Sequence, residues 1–374
     1  MKTMKILHLN AGNETGGGMV HILALLANNE NVVLGLFEEE LMYHEAVSRG
    51  IPVQLFNQKS KFDFSVINKV CSFIDKEGID IIHTHGARAN VYGYVIKRKR
   101  PNCKWVTTLH SNPYHDFLKQ GISGKIFTKL HVWALKKPDH YFAISSRFKE
   151  LLCKEGVQQD KITTIFNGID FSNKEVELLS RNELKLDSDD FVIIMVARLT
   201  PVKGHMIAIK ALHKIIAKHP HVKLLLVGDG FLEDQLKQLT KSLKLENHVL
   251  FLGFRDDVPS ILKLADLEIL TSYSESFPLV LLEAAREKKT VITTDVGGVQ
   301  DLIPSKDYGW IVPVEDINAL VLSLDEAIRL KENGGLERKG EMLYERASRL
   351  FTLDTFQRSI FDTYKQIIKN HLTS

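Results

Sequence analysis

Phe191-Val192-Ile193-Ile194-Met195-Val196-Ala197-Arg198-Leu199-Thr200-Pro201-Val202-Lys203-Gly204-His205 reads as a buried strand, a loop carrying two cations and the opening of a helix. The run Phe191 to Ala197 is apolar and rich in β-branched residues, and the Pro and Gly beyond it are punctuation. Such units build parallel sheets, because parallel neighbours are joined by a crossover that is usually a helix. Just upstream, Ser172 to Asp190 is polar, with a charged helix-like segment and no strand, and it marks a domain boundary.

Downstream, strands are expected near 222–227, 248–252, 267–271, 290–294 and 308–312. Upstream they are expected near 4–9, 32–37, 52–56, 79–84, 105–109, 140–144 and 162–166, with helical patterns between them. The fold class is therefore α/β with two parallel-sheet domains, one over 1–172 and one over 187–354. A final helix near 355–374 can pack back on the first. A chain of 374 residues exceeds one ordinary core and fits two.

Hydrophobic residues at 44% and charged residues at 25% are those of a globular protein. Three cysteines without C-x-x-C spacing support neither a disulfide framework nor a thiolate metal site. No apolar run reaches the length of a membrane span, so a cytoplasmic or peripheral location is expected. The net charge of +3 is uneven: residues 1–172 hold 22 Lys and Arg against 16 Asp and Glu, the remainder 27 against 30. A mildly basic first half suits an anionic partner, but without a recognised binding module it does not indicate nucleic acid. The 22 residues Phe117 to Pro138 contain five lysines and no acid. Leu118, Ile122, Ile126, Leu130 and Ala134 recur there every four residues, a pattern that fits either a helix on an anionic membrane or a core helix with a solvated lysine face, interrupted by Gly121 and Gly124.

Ligands of parallel sheets bind at the carboxyl ends of the strands, so those loops carry the chemistry. The first, Asn10 to Gly18, has three consecutive glycines whose N–H groups can approach a phosphate. It lacks G-x-G-x-x-G and the Walker Lys-Ser/Thr, which speaks against dinucleotide and P-loop binding. His83 and His85 share one strand face. They read as hydrogen-bonded strand-end residues or as a metal pair lacking a third ligand, and His110 ends the next strand. Arg198 and Lys203, a fork and a point charge five residues apart, can both reach a diphosphate. Glu275 precedes a helix expected to open with Pro278 at its first position, and Glu283 lies within it, on either side of N–H groups that attract anions.

In order along the chain, Thr15 to Gly18, His110, Asn167 to Asp170, Arg198 with Lys203-Gly204, Val227 to Gly230, Phe251 to Arg255, Glu275 to Glu283 and Gly297-Gly298 resemble the retaining glycosyltransferases of GT-B architecture, family GT4. The resemblance implies two Rossmann-like, doubly wound domains facing across a cleft, the acceptor held mainly by the first and a nucleotide-sugar by the second. It implies that Arg198 and Lys203 hold the donor diphosphate, Glu275 the hydroxyls of the transferred sugar and Glu283 the ribose diol. The base would lie against Gly253 to Arg255, Gly17 or Gly18 would meet the distal phosphate, and His110 the transferred sugar. Glu275, His110, Arg198 and Lys203 form the implied catalytic set; Gly17, Gly18, Gly253, Arg255, Phe277, Pro278, Leu279 and Glu283 complete the donor site. The family retains anomeric configuration and does not generally require a metal.

The implied function is transfer of a sugar from a UDP- or GDP-sugar to a lipid-linked or polysaccharide acceptor in bacterial envelope assembly. A nucleotide-sugar epimerase or hydrolase, or a noncatalytic nucleotide-sugar binder, would share the fold. Two departures from the family pattern stand out. Ser276-Phe277-Pro278 replaces a Gly-containing loop, and Arg286-Glu287-Lys288-Lys289-Thr290 replaces an Ala-x-Gly-x-Pro turn, which predicts a less tight turn before Val291.

Overall fold

Each apolar run named above contains a parallel strand. The computed structural model describes residues 4–372 except 15, 28, 61–62, 111–120 and 173–178, with the backbone alone at 121–123, 125–126 and 370–372. The chain forms two units: unit 1 is Met1–Asn167 with Leu353–Ser374, and unit 2 is Gly168–Thr352.

Unit 1 contains β1 (Ile6–Asn10), β2 (Val32–Leu36), β3 (Val53–Leu55), β4 (Ile81–His85), β5 (Lys104–Leu109), β6 (His140–Ala143) and β7 (Ile162–Thr164). They form one parallel sheet in the order β3-β2-β1-β4-β5-β6-β7. The winding direction reverses between β1 and β4, where the pairing sets His8 against His83. At such a reversal the crossover helices diverge to opposite faces and leave a crevice for a ligand.

The last helix, Leu353–Leu372, belongs to this unit. Its Phe356, Ile360 and Tyr364 are buried in one cluster with Ile22, Leu25 and Leu26 of the helix Gly17–Leu26. Gln357 Nε2 also donates to the Ala24 carbonyl at 2.7 Å. Burial of each large side chain is worth about 1.5–3 kcal/mol, so these three hold the segment firmly.

The basic stretch forms a helix over Gly121–Ala134, which Gly124 does not interrupt. Leu118 and Lys119 lie outside the described residues, as do the side chains of Ile122 and Ile126. Ala134 is buried but Leu130 is 39% exposed, so the expected four-residue row is not uniformly buried. Trp133, 44% exposed, rests on the Tyr94 ring with centroids 4.4 Å apart.

Unit 2 contains β8 (Phe191–Val196), β9 (Val222–Val227), β10 (Val249–Gly253), β11 (Leu267–Leu270), β12 (Thr290–Thr294) and β13 (Trp310–Val312). These form a parallel sheet in the order β10-β9-β8-β11-β12-β13, reversing between β8 and β11. Pairing of β8 with β11 stops after Ile194, and beyond it the Val196 N–H turns to the Glu268 side chain at 3.4 Å. The polar stretch before β8 is tied to this unit. Leu184 and Leu186 are buried, Arg181 lies 3.8 Å from Asp266, and Ser180 with Glu183 forms a capping box.

Candidate active site

In unit 2 the loops leaving β8, β9, β11 and β12 converge where the sheet reverses, and the backbone of each is fixed by another. Leu199 N–H donates to the Asp229 carbonyl at 2.7 Å, and Leu232 N–H to the Leu199 carbonyl at 3.2 Å. Tyr273 N–H donates to the Val202 carbonyl at 2.8 Å, and Thr271 Oγ1 to the carbonyls of Lys203 and Gly204 at 3.2 and 3.0 Å. Gly204 has φ +72, and a Cβ there would stand 2.1 Å from the Thr271 carbonyl oxygen. Only glycine accepts both conditions. Gly297, at φ +50, likewise lies against the Ser276 carbonyl, to which Gly298 N–H donates at 3.0 Å.

These ties place Lys203 Nζ 2.6 Å from Glu275 Oε1, which also accepts from Ser272 Oγ at 2.6 Å. Both charged side chains are largely withdrawn from water. Arg198 is exposed and has no ion-pair partner among the described residues. A positive charge without an ion-pair partner, in the same loop as a lysine held by a carboxylate, can receive an anion with two or more negative oxygens.

The helix after Glu275 runs Leu279–Arg286, and Pro278 is its N-cap with extended backbone (ψ 107), one position earlier than expected. Proline's fixed φ suits either position, and the site beyond Pro278 still offers first-turn N–H groups. Phe277 does not turn its side chain outward. It is buried and stacks on Phe351 with centroids 5.4 Å apart, so any part it takes in binding comes from its backbone.

Glu283 is half-buried within this helix, and burial pushes its carboxyl up against the pull of Arg286. Beneath it lies a carboxyl that the sequence reading passed over. Glu268 is fully buried on β11, its Oε2 lacks a hydrogen-bond partner among the described residues, and burial, with Glu283 adding to it, raises its pKa well above the ordinary value. One acid inside the otherwise apolar run Leu267-Glu268-Ile269-Leu270 was the signal for it.

At the end of β10, Gly253 holds φ +65 with open space about it. Arg255 is engaged by Asp257 through two hydrogen bonds, Nε to Oδ1 at 2.7 Å and a terminal N–H to Oδ2 at 2.5 Å. The exposed group here is instead the Phe254 ring, 76% accessible, a flat apolar face of the kind bases stack on. The turn before β12 is closed despite the missing glycine. Lys288 takes φ 57, and Lys289 N–H reaches the Ala284 carbonyl at 2.9 Å.

In unit 1, Gly17 and Gly18 form the first turn of the helix Gly17–Leu26, with Gly16 as N-cap. Thr15 lies outside the described residues. A carboxylate already stands at this turn: a Cβ on Gly18 would be 1.9 Å from Glu14 Oε1, while Glu14 Oε2 accepts from Asn10 Nδ2 at 2.6 Å. Burial raises the Glu14 pKa, and the Asn10 hydrogen bond opposes this.

His83 and His85 face inward on β4, and the structure supplies the third histidine that the sequence reading lacked, His8 on β1. One nitrogen from each lies within 4.8 Å of the others. His110 directly follows β5, half-buried, with Nε2 2.9 Å from His85 Nδ1. Burial pushes His8 down to about 3, helped by His21, and His110 to about 4. His83 and His85 are held well below the usual range by burial and by the neighbouring histidines.

Among known families, the profile described as glycosyl transferases group 1 matches residues 177–345, and that described as glycosyltransferase family 4 matches residues 22–173. N-acetyl-alpha-D-glucosaminyl L-malate synthase of Bacillus anthracis is 32% identical over 300 residues, 77% of this chain and 76% of its own. UDP-Gal:alpha-D-GlcNAc-diphosphoundecaprenol alpha-1,3-galactosyltransferase of Escherichia coli is 29% identical over 279 residues, 71% of this chain and 72% of its own. The crystal structure of HepE from Anabaena in complex with UDP-glucose superposes with a TM-score of 0.80 at 25% identity, covering 97% of this chain and 100% of that one.

Proposed function

This chain belongs to the GT4-type glycosyltransferases, and from that premise we propose that it transfers a sugar from a UDP-sugar to an anionic acceptor with retention at the anomeric carbon. The observation that carries the donor half is the constellation at the reversal of the unit 2 sheet: exposed Arg198, Lys203 held by Glu275, and the N-terminus of Leu279–Arg286.

In this reading Arg198 and Lys203 neutralise the diphosphate as the bond from the anomeric carbon to its phosphate oxygen breaks. The acceptor oxygen bonds to the same face of that carbon, and its proton passes to the leaving phosphate oxygen. Glu275 takes sugar hydroxyls, with Lys203 passing from carboxylate to phosphate as the donor enters. Glu283 takes the ribose diol and Phe254 the base. No step calls for a metal. UDP is preferred to GDP because two relatives carry uridine donors in their names.

Unit 1, the more basic part of the chain, takes the acceptor. A diphosphate lipid and a small carboxylic acid, the acceptors named for the two relatives, are both anions. The lipid-linked class is our choice, with assembly of a bacterial envelope glycan as the setting. Trp133 and Leu130 beside exposed Lys129, Lys136 and Lys137 offer a surface for an anionic membrane. Among the described residues no helix is long and apolar enough to cross a membrane.

The test is a panel of UDP- and GDP-sugars with polyprenyl-diphosphate-linked sugars and hydroxy acids, read by mass spectrometry. Glycosylated product from a UDP-sugar and a lipid acceptor is expected. Nucleotide release without acceptor dependence would instead favour a hydrolase or epimerase, and binding without turnover a noncatalytic role. Co-flotation with anionic liposomes, lost on neutralising Lys129, Lys136 and Lys137, tests the membrane surface.

A further inference from the structure

The histidines around the β1/β4 reversal form one unbroken line of hydrogen bonds. His110 Nε2 lies 2.9 Å from His85 Nδ1, and His85 Nε2 lies 3.0 Å from His8 Nδ1. His8 Nε2 lies 3.4 Å from the Tyr364 hydroxyl, which also meets His83 Nδ1; His83 Nε2 lies 2.7 Å from Thr108 Oγ1. The rings of His8 and His83 each lie near parallel to that of His85, at 13° and 27°. Strands β1, β4 and β5 and the final helix each contribute a member, so the line exists only in the folded unit.

A neutral imidazole has one N–H and one lone pair, so the protons of such a line cannot be placed independently. Suppose Tyr364 donates to His83. His83 then donates from Nε2 to Thr108, His8 from Nε2 to Tyr364, His85 from Nε2 to His8, and His110 from Nε2 to His85. Suppose instead that Tyr364 donates to His8. Every ring then carries its proton on Nδ1, and Thr108 donates to His83. The four rings are all Nε2–H or all Nδ1–H. In the first order His110 Nδ1 is an acceptor; in the second it is a donor.

We propose that this line sets which nitrogen of His110 carries its proton, making His85, His8 and Tyr364 positioning residues for His110. The functional meaning rests on the reading of His110 as a residue of the sugar transfer. Whatever group meets His110 Nδ1 must take the complementary hydrogen-bond role, and a tyrosine three hydrogen bonds away takes part in fixing it. A metal ion is the competing occupant of three of these nitrogens. Ligands of one ion, however, turn their lone pairs to a common point, whereas His8 and His85 aim nitrogen at nitrogen, as a shared proton requires.

The experiment uses the whole protein with histidines labelled with 15N in the ring, at pH 7.5, without donor or acceptor. NMR reads which nitrogen of each ring is protonated, and single His→Gln variants assign the signals. The expected result is that His8, His83, His85 and His110 are neutral and share one tautomer. In Tyr364→Phe, which keeps the packing ring and removes the hydroxyl, the His110 signals should change to a mixture of both tautomers. Mixed tautomers among the four rings of the unaltered protein overturn the proposal, as do a charged ring among them, ring signals that move on adding Zn2+ or chelator, and an unchanged His110 in folded Tyr364→Phe. None of these readings needs sugar transfer, so they fail or succeed apart from the donor panel.

Discussion

Lys203 and Glu275, 72 residues apart in sequence, share a 2.6 Å contact between Nζ and Oε1, at the point where the unit 2 sheet reverses. The ammonium is therefore already placed before any phosphate arrives. In the proposed function, entry of a diphosphate exchanges one anionic partner for another and releases the carboxylate for neutral hydroxyls.

Glu275→Ala should lower kcat roughly ten- to a hundredfold, the worth of a lost hydrogen bond to a charged group, while UDP binding stays the same or tightens because Lys203 is set free. Lys203→Ala combined with Arg198→Ala should abolish measurable UDP binding. Steady-state kinetics and calorimetric titration check both; wild-type kcat in folded Glu275→Ala contradicts the assignment.

Glu283→Ala should weaken binding of UDP about tenfold or more with a smaller effect on kcat. Burial raises the pKa of this carboxyl, so its carboxylate form is lost at a higher pH than for an exposed glutamate. Donor affinity should accordingly begin to fall on acidification sooner than the ordinary glutamate range suggests, and that early fall should be absent from Glu283→Gln. Identical pH profiles for the two proteins would remove Glu283 from the ribose site.

Glu14 stands with its carboxylate against Gly18, at a helix N-terminus that would otherwise draw phosphate. Replacing it with alanine should tighten binding of a phosphate-bearing ligand severalfold. Affinity unchanged in Glu14→Ala would mean that Gly17 and Gly18 meet no anion.

Acid should unfold unit 1 before unit 2. Burial holds His8 down to about 3 and His131 to about 4, with His21, His83 and His85 also well below 6.5, whereas all protonate near 6.5 once unfolded. This stability is complete above pH 6.5 and is lost as the pH falls toward 4, at about 1.4 kcal/mol per pH unit for each such group. In unit 2 the buried carboxyls of Glu268 and Glu283 have raised pKa values, so acidification from pH 7 toward 4.5 favours the fold and opposes its His205, held at about 4. Calorimetric scans at pH 7.5 and 5 should show the unit 1 transition falling by roughly 10 °C or more, with the other moving less. Transitions that shift together contradict the assignment.

Lys288→Gly should raise stability by up to about 1 kcal/mol. It relieves the left-handed backbone of a residue with a Cβ and gives up two contacts at half-exposed side chains, one to Glu341 and one of the ammonium over the Tyr344 ring. A lower melting temperature would show that the lysine's contacts matter more.

Strand positions were legible because β-branched runs announce themselves locally, and the carboxyl-end loops then pointed to Arg198, Lys203, Glu275 and His110. What the sequence concealed lies in pairings between distant segments. Phe277 reads as part of a binding loop, yet a partner 74 positions later, Phe351, draws it inward. Arg255 reads as a ligand for the base until Asp257 is seen to hold it. His8 gave no local sign, since only the β1/β4 register sets it opposite His83, and Tyr364 joins them from 281 residues beyond His83. The turn at Lys288 was expected to loosen without glycine, but its hydrogen bonds to the helix end impose the same geometry on lysine.

The final helix lends its aromatic side chains to a core whose last strand ends at Thr164. A polypeptide leaves the ribosome from its amino end, and domains generally fold as they emerge. Unit 2 is contiguous and has all its parts once Thr352 is out, while unit 1, although begun first, still waits for Phe356, Ile360 and Tyr364. During synthesis the order of completion is thus the reverse of the order of translation, and a premature stop between Thr352 and Phe356 would leave a finished unit 2 attached to an unfinished unit 1.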